Sequence, residues 1–168
     1  ALHALGLDFE IENSFRMRVP PHAWTDHLRF TFVRDPYARI VSAWRDKIIL
    51  RRKGSGINDQ VLYEQLSDFG NFVDWVLSQD KERINPHFRP QTILVPENVD
   101  FIGRLESFDA DLRHLFGRLG LGDLPKAPHH NRSNWAKRPE PTMSPSALQG
   151  INAYFRDDFR RFGYAIRT

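Results

Sequence analysis

Apolar positions change their period along this chain, and each period predicts an element. Phe30-Thr31-Phe32-Val33 is a short, nearly unbroken apolar run that ends in Arg34. It reads as a strand buried on both faces, as in a parallel sheet. Asp35 and Pro36 follow as a helix N-cap and a proline at the first helical position. Ile40, Trp44 and Ile48 then recur every fourth residue, which predicts a helix from Pro36 to about Leu50 with one buried stripe. Ser42 and Arg39 fall off that stripe. Residues 59–66 and 69–79 also read as helical, with Phe69, Phe72, Val73, Val76 and Leu77 on one face. Thr92–Val95 and Asp100–Arg104 are short strand candidates. Ser107 caps a helix to about Leu119, with Asp109 and Asp111 in its first turn, where the helix dipole favours them. Ser144-Pro145 opens a last helix that ends near Phe162-Gly163.

The remaining segments read as connections. Residues 1–5 look like a helix tail stopped by Gly6, and residues 7–28 like loop with a short strand near Phe15–Val19. Arg51–Ile57 is a Gly-containing loop and Asn85–Gln91 a proline-punctuated one. Residues 120–143 form a connection longer than compact domains usually carry, which marks it as functional or mobile. Strands alternating with helices predict an α/β fold with a parallel sheet flanked by helices. A length of 168 residues, 40% of them hydrophobic, suits a single domain over residues 1–168.

Composition then removes several chemistries. Cysteine is absent, so disulfides, thiolate metal sites and cysteine nucleophiles are excluded. The net charge is only +3, and arginine far outnumbers lysine, which suits anion binding at defined points better than a diffuse field. The longest basic block is Arg51-Arg52-Lys53, so nucleic acid is not the expected partner. No apolar stretch approaches the ~20 residues needed to span a bilayer. His129-His130 suggests a metal, but adjacent side chains diverge and no acidic partner is near; no metal is expected.

A cation at a strand end and a hydroxyl two turns into the next helix can converge on one dianion, as Arg34 and Ser42 would. The plainer alternative is that Arg34 pairs with a nearby acid and Ser42 permits close helix packing. His87, between Pro86 and Pro90, either lines a cleft or serves the loop's structure, and Gln91 is similar. Glu106 is read as structural.

The run Phe32-Val33-Arg34-Asp35-Pro36-Tyr37-Ala38-Arg39-Ile40-Val41-Ser42-Ala43-Trp44 resembles the 3′-phosphate-binding segment of sulfotransferases that use 3′-phosphoadenosine-5′-phosphosulfate (PAPS). In that family an Arg closes the strand and a Ser eight positions later completes the site. Asn85-Pro86-His87-Phe88-Arg89-Pro90-Gln91 and Asp100–Phe108 resemble segments of the carbohydrate sulfotransferase branch, which includes Golgi enzymes and many bacterial relatives. Asp158-Phe159-Arg160-Arg161-Phe162-Gly163-Tyr164 is similar to the same branch's ending.

The resemblance implies a parallel sheet flanked by helices, related to nucleotide kinases, and transfer of a sulfuryl group from PAPS to a carbohydrate hydroxyl without a metal. It implies Arg34 and Ser42 at the 3′-phosphate. Arg132 and Ser133 would approach from the opposite side, with Lys137 and Arg138 as weaker candidates. His22 is the first candidate for the base that takes the acceptor's proton and His87 the second; His27 stands too near the strand start. Trp24 and Gln91 are substrate-binding candidates. The family often has Tyr where this chain has Leu105. The expected 5′-phosphosulfate loop, a Lys before a Gly/Ser/Thr-rich turn, is not found before residue 30. Lys53-Gly54-Ser55-Gly56 has its composition but follows a helix. The loop and its strand are therefore expected upstream of Ala1, leaving half of the donor site here. The expected setting is a bacterial cytoplasm, with the Golgi lumen as the alternative. The competing functions are an ATP-dependent kinase-like enzyme and a non-catalytic anion-binding module; no Walker loop or acidic Mg²⁺ ligands support the first.

Overall fold

The computed structural model describes residues 28–51, 56–57, 59–121 and 140–168. In chain order the elements are β1 (Phe30–Val33), α1 (Pro36–Trp44), α2 (Gln60–Gln65), α3 (Phe69–Ser78), α4 (Gln91–Leu94), β2 (Phe101–Arg104), α5 (Phe108–Arg118), α6 (Pro145–Tyr154) and α7 (Arg156–Phe162). They fall into two compact units. One draws its described residues from 28–32 and 98–121, the other from 33–97 and 140–168.

In the smaller unit β1 and β2 pair as a two-stranded parallel sheet, so the fold is α/β as the pattern predicts. Arg29 and Asp100 tie the strand starts together. The Arg29 amide and Nε donate to Asp100 Oδ2 at 2.8 and 3.1 Å, and the Asp100 amide donates to the Arg29 carbonyl at 2.8 Å. These bonds hold the Asp100 carboxyl below its ordinary range. Phe30, Phe32, Phe101 and Phe108 pack on Leu112, Leu115 and Phe116 of α5. Burial of the first strand on both faces is not observed: Phe30 to Phe32 are half-buried, and only Val33 is fully buried. Gly103 lies so close to Phe32 that a Cβ there would stand 2.5 Å from the ring.

Ser107 does not cap α5 with its side chain. A 3₁₀ turn, Leu105–Ser107, precedes the helix. The Asp111 carboxylate reaches back instead, accepting from the Arg104 amide at 2.6 Å and the Ser107 hydroxyl at 2.8 Å.

The larger unit is helical around Tyr37, Ile40, Phe72, Val73, Val76, Phe88, Ile151 and Phe155. Helices α1, α3 and α6 begin where the sequence signals place them. Asp35 accepts from the Ala38 amide at 2.8 Å, Asp68 from Asn71 at 2.9 Å and Ser144 from Ala147 at 3.1 Å. After Trp44 the first helix widens into a π-helical turn, Arg45–Ile49, with the Leu50 amide donating to the Arg45 carbonyl at 2.9 Å.

Two predicted elements differ. Thr92–Val95 is not a strand; Gln91–Leu94 is a helical turn whose first amides are capped by Asp158. The last helix is two, α6 and α7, separated at Phe155, with Gly163 in the left-handed conformation (φ 65°) closing α7. Among the described residues no helix is long and apolar enough to cross a membrane.

Candidate anion-binding site

The site is built at the start of α1, within the larger unit. Arg34 is the last residue before the Asp35 cap. Its main chain is gripped from both sides by one side chain: the Arg34 amide donates to Gln91 Oε1 at 2.9 Å, and Gln91 Nε2 donates to the Arg34 carbonyl at 2.8 Å. A planar amide with one donor and one acceptor thus stands in for a strand partner.

Gln91 is buried and is itself held. Its amide N–H donates to Asp158 Oδ2 at 2.7 Å, while the Thr92 amide and hydroxyl donate to Asp158 Oδ1 at 2.8 and 2.9 Å. Asp158, on α7, has no exposed surface. A buried carboxylate is tolerable because three donors compensate it. One turn further, Arg161 donates to the Val95 and Pro96 carbonyls at 2.7 and 2.6 Å. The last helix therefore sets an anion at the N-terminus of α4 and a cation at its C-terminus, the favourable sense for a helix dipole.

The side chain of Arg34 stands in contrast to its main chain. Among the described residues its guanidinium makes no hydrogen bond or ion pair. The Ser42 hydroxyl likewise has no partner among them. Asp35, Arg39 and Ser42 recur at spacings of four and three, so they share one helix face. The Arg34 charge also lowers the pKa of Arg39, so two cations share this neighbourhood.

Arg39 is already committed. Its guanidinium donates to the Pro86 carbonyl at 2.9 Å and to the Arg89 carbonyl at 2.5 Å, clamping the 85–90 turn against α1. Burial lowers its pKa below the usual arginine value, with Asp158 opposing. The turn is closed by Asn85, whose carbonyl accepts from the Phe88 amide at 2.9 Å and whose side chain accepts from the His87 amide at 3.0 Å.

His87 is exposed at the tip of this turn. Partial desolvation, then the nearby Lys47 charge, lowers its pKa below 6.5, with Asp46 opposing. Its imidazole is therefore mostly neutral at pH 7. Lys47 is buried on the π-helical turn and pairs with Asp46 at 3.1 Å.

The structure thus brings together Arg34, Ser42, His87 and Gln91 in one unit. Gln91 uses both ends of its side-chain amide on the Arg34 main chain. His22, Trp24, His27, Arg132, Ser133, Lys137 and Arg138 lie outside the described residues, as do His129-His130 and Lys53-Gly54-Ser55. Leu105 belongs to the smaller unit and is 47% exposed. Arg39, Lys47 and Asp158 are contributors that reading the sequence does not single out. Lys47 follows Ile40 by seven residues, a spacing that puts it on the buried stripe. Arg39 shares the face of Ser42, and Asp158 sits inside the C-terminal motif.

Comparison with known proteins identifies the family. Residues 6–165 match the family model described as Sulfotransferase family. The chain is 26% identical to Carbohydrate sulfotransferase 14 of Danio rerio, over 95% of this chain and 51% of that protein. It is also 26% identical to Carbohydrate sulfotransferase 14 of Homo sapiens, over 83% and 43%. With Carbohydrate sulfotransferase 11 of Rattus norvegicus it shares 23% identity, over 86% and 49%. The chain spans about half the length of the curated relatives it matches. No solved structure matches it. These relatives correct the placement in a bacterial cytoplasm: they are vertebrate carbohydrate sulfotransferases. With the match covering nearly its whole length, the chain belongs to the sulfotransferase family.

Proposed function

We propose that the protein moves a sulfuryl group from PAPS, the family's general donor, to a hydroxyl of a carbohydrate acceptor, and that residues 1–168 belong to one sulfotransferase domain. The observation that carries the reading is the contrast at Arg34, a main chain gripped by Gln91 beside a guanidinium with no partner among the described residues. A fixed, uncommitted planar cation suits a phosphate dianion.

Arg34 and Ser42 then hold the 3′-phosphate, with Arg132 and Ser133 on its other side. As the acceptor oxygen bonds to sulfur, the bond from sulfur to the 5′-phosphate oxygen breaks and a base takes the acceptor's proton. His22 is our first choice for that base. His87 is the second, and its lowered pKa suits the task. Trp24 stacks on an acceptor sugar. The protein's contribution is orientation and neutralisation of charge on the leaving phosphate. The setting in this reading is the Golgi lumen.

The test is Arg34→Ala with 3′,5′-ADP and AMP as probes. Loss of charge-assisted hydrogen bonds worth roughly 1.5–3 kcal/mol should weaken 3′,5′-ADP about ten- to a hundredfold. AMP, which lacks the 3′-phosphate, should be nearly unaffected. Equal losses for both ligands in calorimetry would refute the assignment.

A further inference from the structure

We infer that Gln91 and Asp158 are positioning residues for Arg34, so that the clamp of α7 on α4 sets how well the protein recognises a 3′-phosphate. The inference rests on the reading of Arg34 as the phosphate ligand.

Arg34 leaves the strand and enters a helix cap within one residue, and Gln91 supplies both hydrogen bonds of its main chain. Two bonds from one rigid amide fix the main-chain torsions of Arg34 and therefore the direction in which its side chain departs. The guanidinium lies several bonds from that anchor. A modest rotation of the main chain therefore displaces it on the ångström scale that separates a good phosphate contact from a poor one.

Gln91 can grip only if α4 stays in place. A helix of four residues has almost no stability of its own. Asp158 takes up both of its first amide N–H groups and the Thr92 hydroxyl, and Arg161 takes up carbonyls at its far end. The chain of contact runs from α7 through α4 to Arg34 without a gap. Every link is a hydrogen bond of 2.6–2.9 Å.

A purely structural role would lower stability while leaving ligand preference alone, so the decisive quantity is the ratio of 3′,5′-ADP to AMP affinity. Gln91→Met keeps the volume and removes both bonds. Gln91→Glu keeps an acceptor for the Arg34 amide, loses the donor to its carbonyl and adds a negative charge. Asp158→Asn keeps the shape and replaces one acceptor oxygen by a donor. Each is measured by calorimetry in the full-length protein, beside Arg34→Ala and the double variant Arg34→Ala/Gln91→Met.

Gln91→Met should weaken 3′,5′-ADP about five- to twentyfold with AMP changed less than about twofold, and Gln91→Glu and Asp158→Asn should shift the ratio the same way by about threefold or more. Gln91→Met should add nothing in the Arg34→Ala background. Parallel loss of both ligands in these variants, or additive losses in the double variant, would overturn the positioning role while leaving Arg34 as a ligand. An unchanged ratio in Arg34→Ala would overturn the site reading and this inference together. Should Gln91→Met not fold, Asp158→Asn decides by the same ratio.

Discussion

Arg39→Met is the most informative single change for how the site is assembled, because Arg39 joins α1 to the turn that carries His87 and leads into Gln91. The guanidinium donates to two main-chain carbonyls, Pro86 at 2.9 Å and Arg89 at 2.5 Å. Hydrogen bonds from a charged donor contribute about 1.5–3 kcal/mol each, so the gross loss is about 3–6 kcal/mol. Two effects reduce it. Burial of the cation is the main cause of its lowered pKa, and methionine relieves that burden. The thioether also keeps most of the aliphatic packing of the arginine stem. A net loss of about 2–3 kcal/mol remains, or roughly 4–12 °C in Tm for a chain of this size. Denaturant unfolding at constant slope measures it, and faster hydrogen exchange at the Phe88 amide locates it. Stability within about 0.5 kcal/mol of the parent, with exchange at Phe88 unchanged, would refute the reasoning: the cost of burying the cation would then cancel its two bonds.

Two further outcomes follow from other parts of the chain. The lowered pKa of His87 means that between that value and 6.5 the unfolded chain binds the proton that the folded one refuses. The stability tied to this group is thus complete above pH 6.5 and lost as pH falls through the folded pKa; an NMR titration of the imidazole should show a midpoint below 6.5, and one at or above 6.5 would contradict the cited desolvation and Lys47 charge. Gly103→Ala would place a methyl 2.5 and 2.7 Å from two Phe32 ring carbons and 3.1 Å from a Phe101 ring carbon, so it should destabilise by about 1–3 kcal/mol. Phe32→Leu should recover part of that loss, and an Ala variant as stable as the parent would show that the rings move aside freely.

What was legible in the sequence is what short-range chemistry decides. Asp35-Pro36 announces α1 because cap and proline act on their own backbone, and Gly163 ends α7 because its φ of 65° suits a residue without a side chain. The misreadings have long-range causes. Thr92–Val95 looks like a strand because its residues suit one, yet a carboxylate 66 residues away satisfies the first amides of a helical turn. Leu105–Ser107 forms a 3₁₀ turn, and Asp111 rather than Ser107 takes the Arg104 amide. The break at Phe155 has no proline or glycine to announce it.

Arg34, Ser42 and Gln91 all stand out in the sequence, but what Gln91 holds does not, for a reason that bears on the motifs as a group. A glutamine whose partners are main-chain atoms leaves no trace in side-chain patterns, because any residue at position 34 offers the same amide and carbonyl. Yet the segments that resemble the family are not independent signals. Asn85–Gln91 supplies the carbonyls that hold Arg39 and the amide that holds Arg34. Asp158, the first residue of the C-terminal motif, holds Gln91. Two segments far from α1 in sequence therefore converge on the backbone of one strand-end arginine. Read this way, the later motifs are the support of the first, and a change in either should register first in what Arg34 can bind.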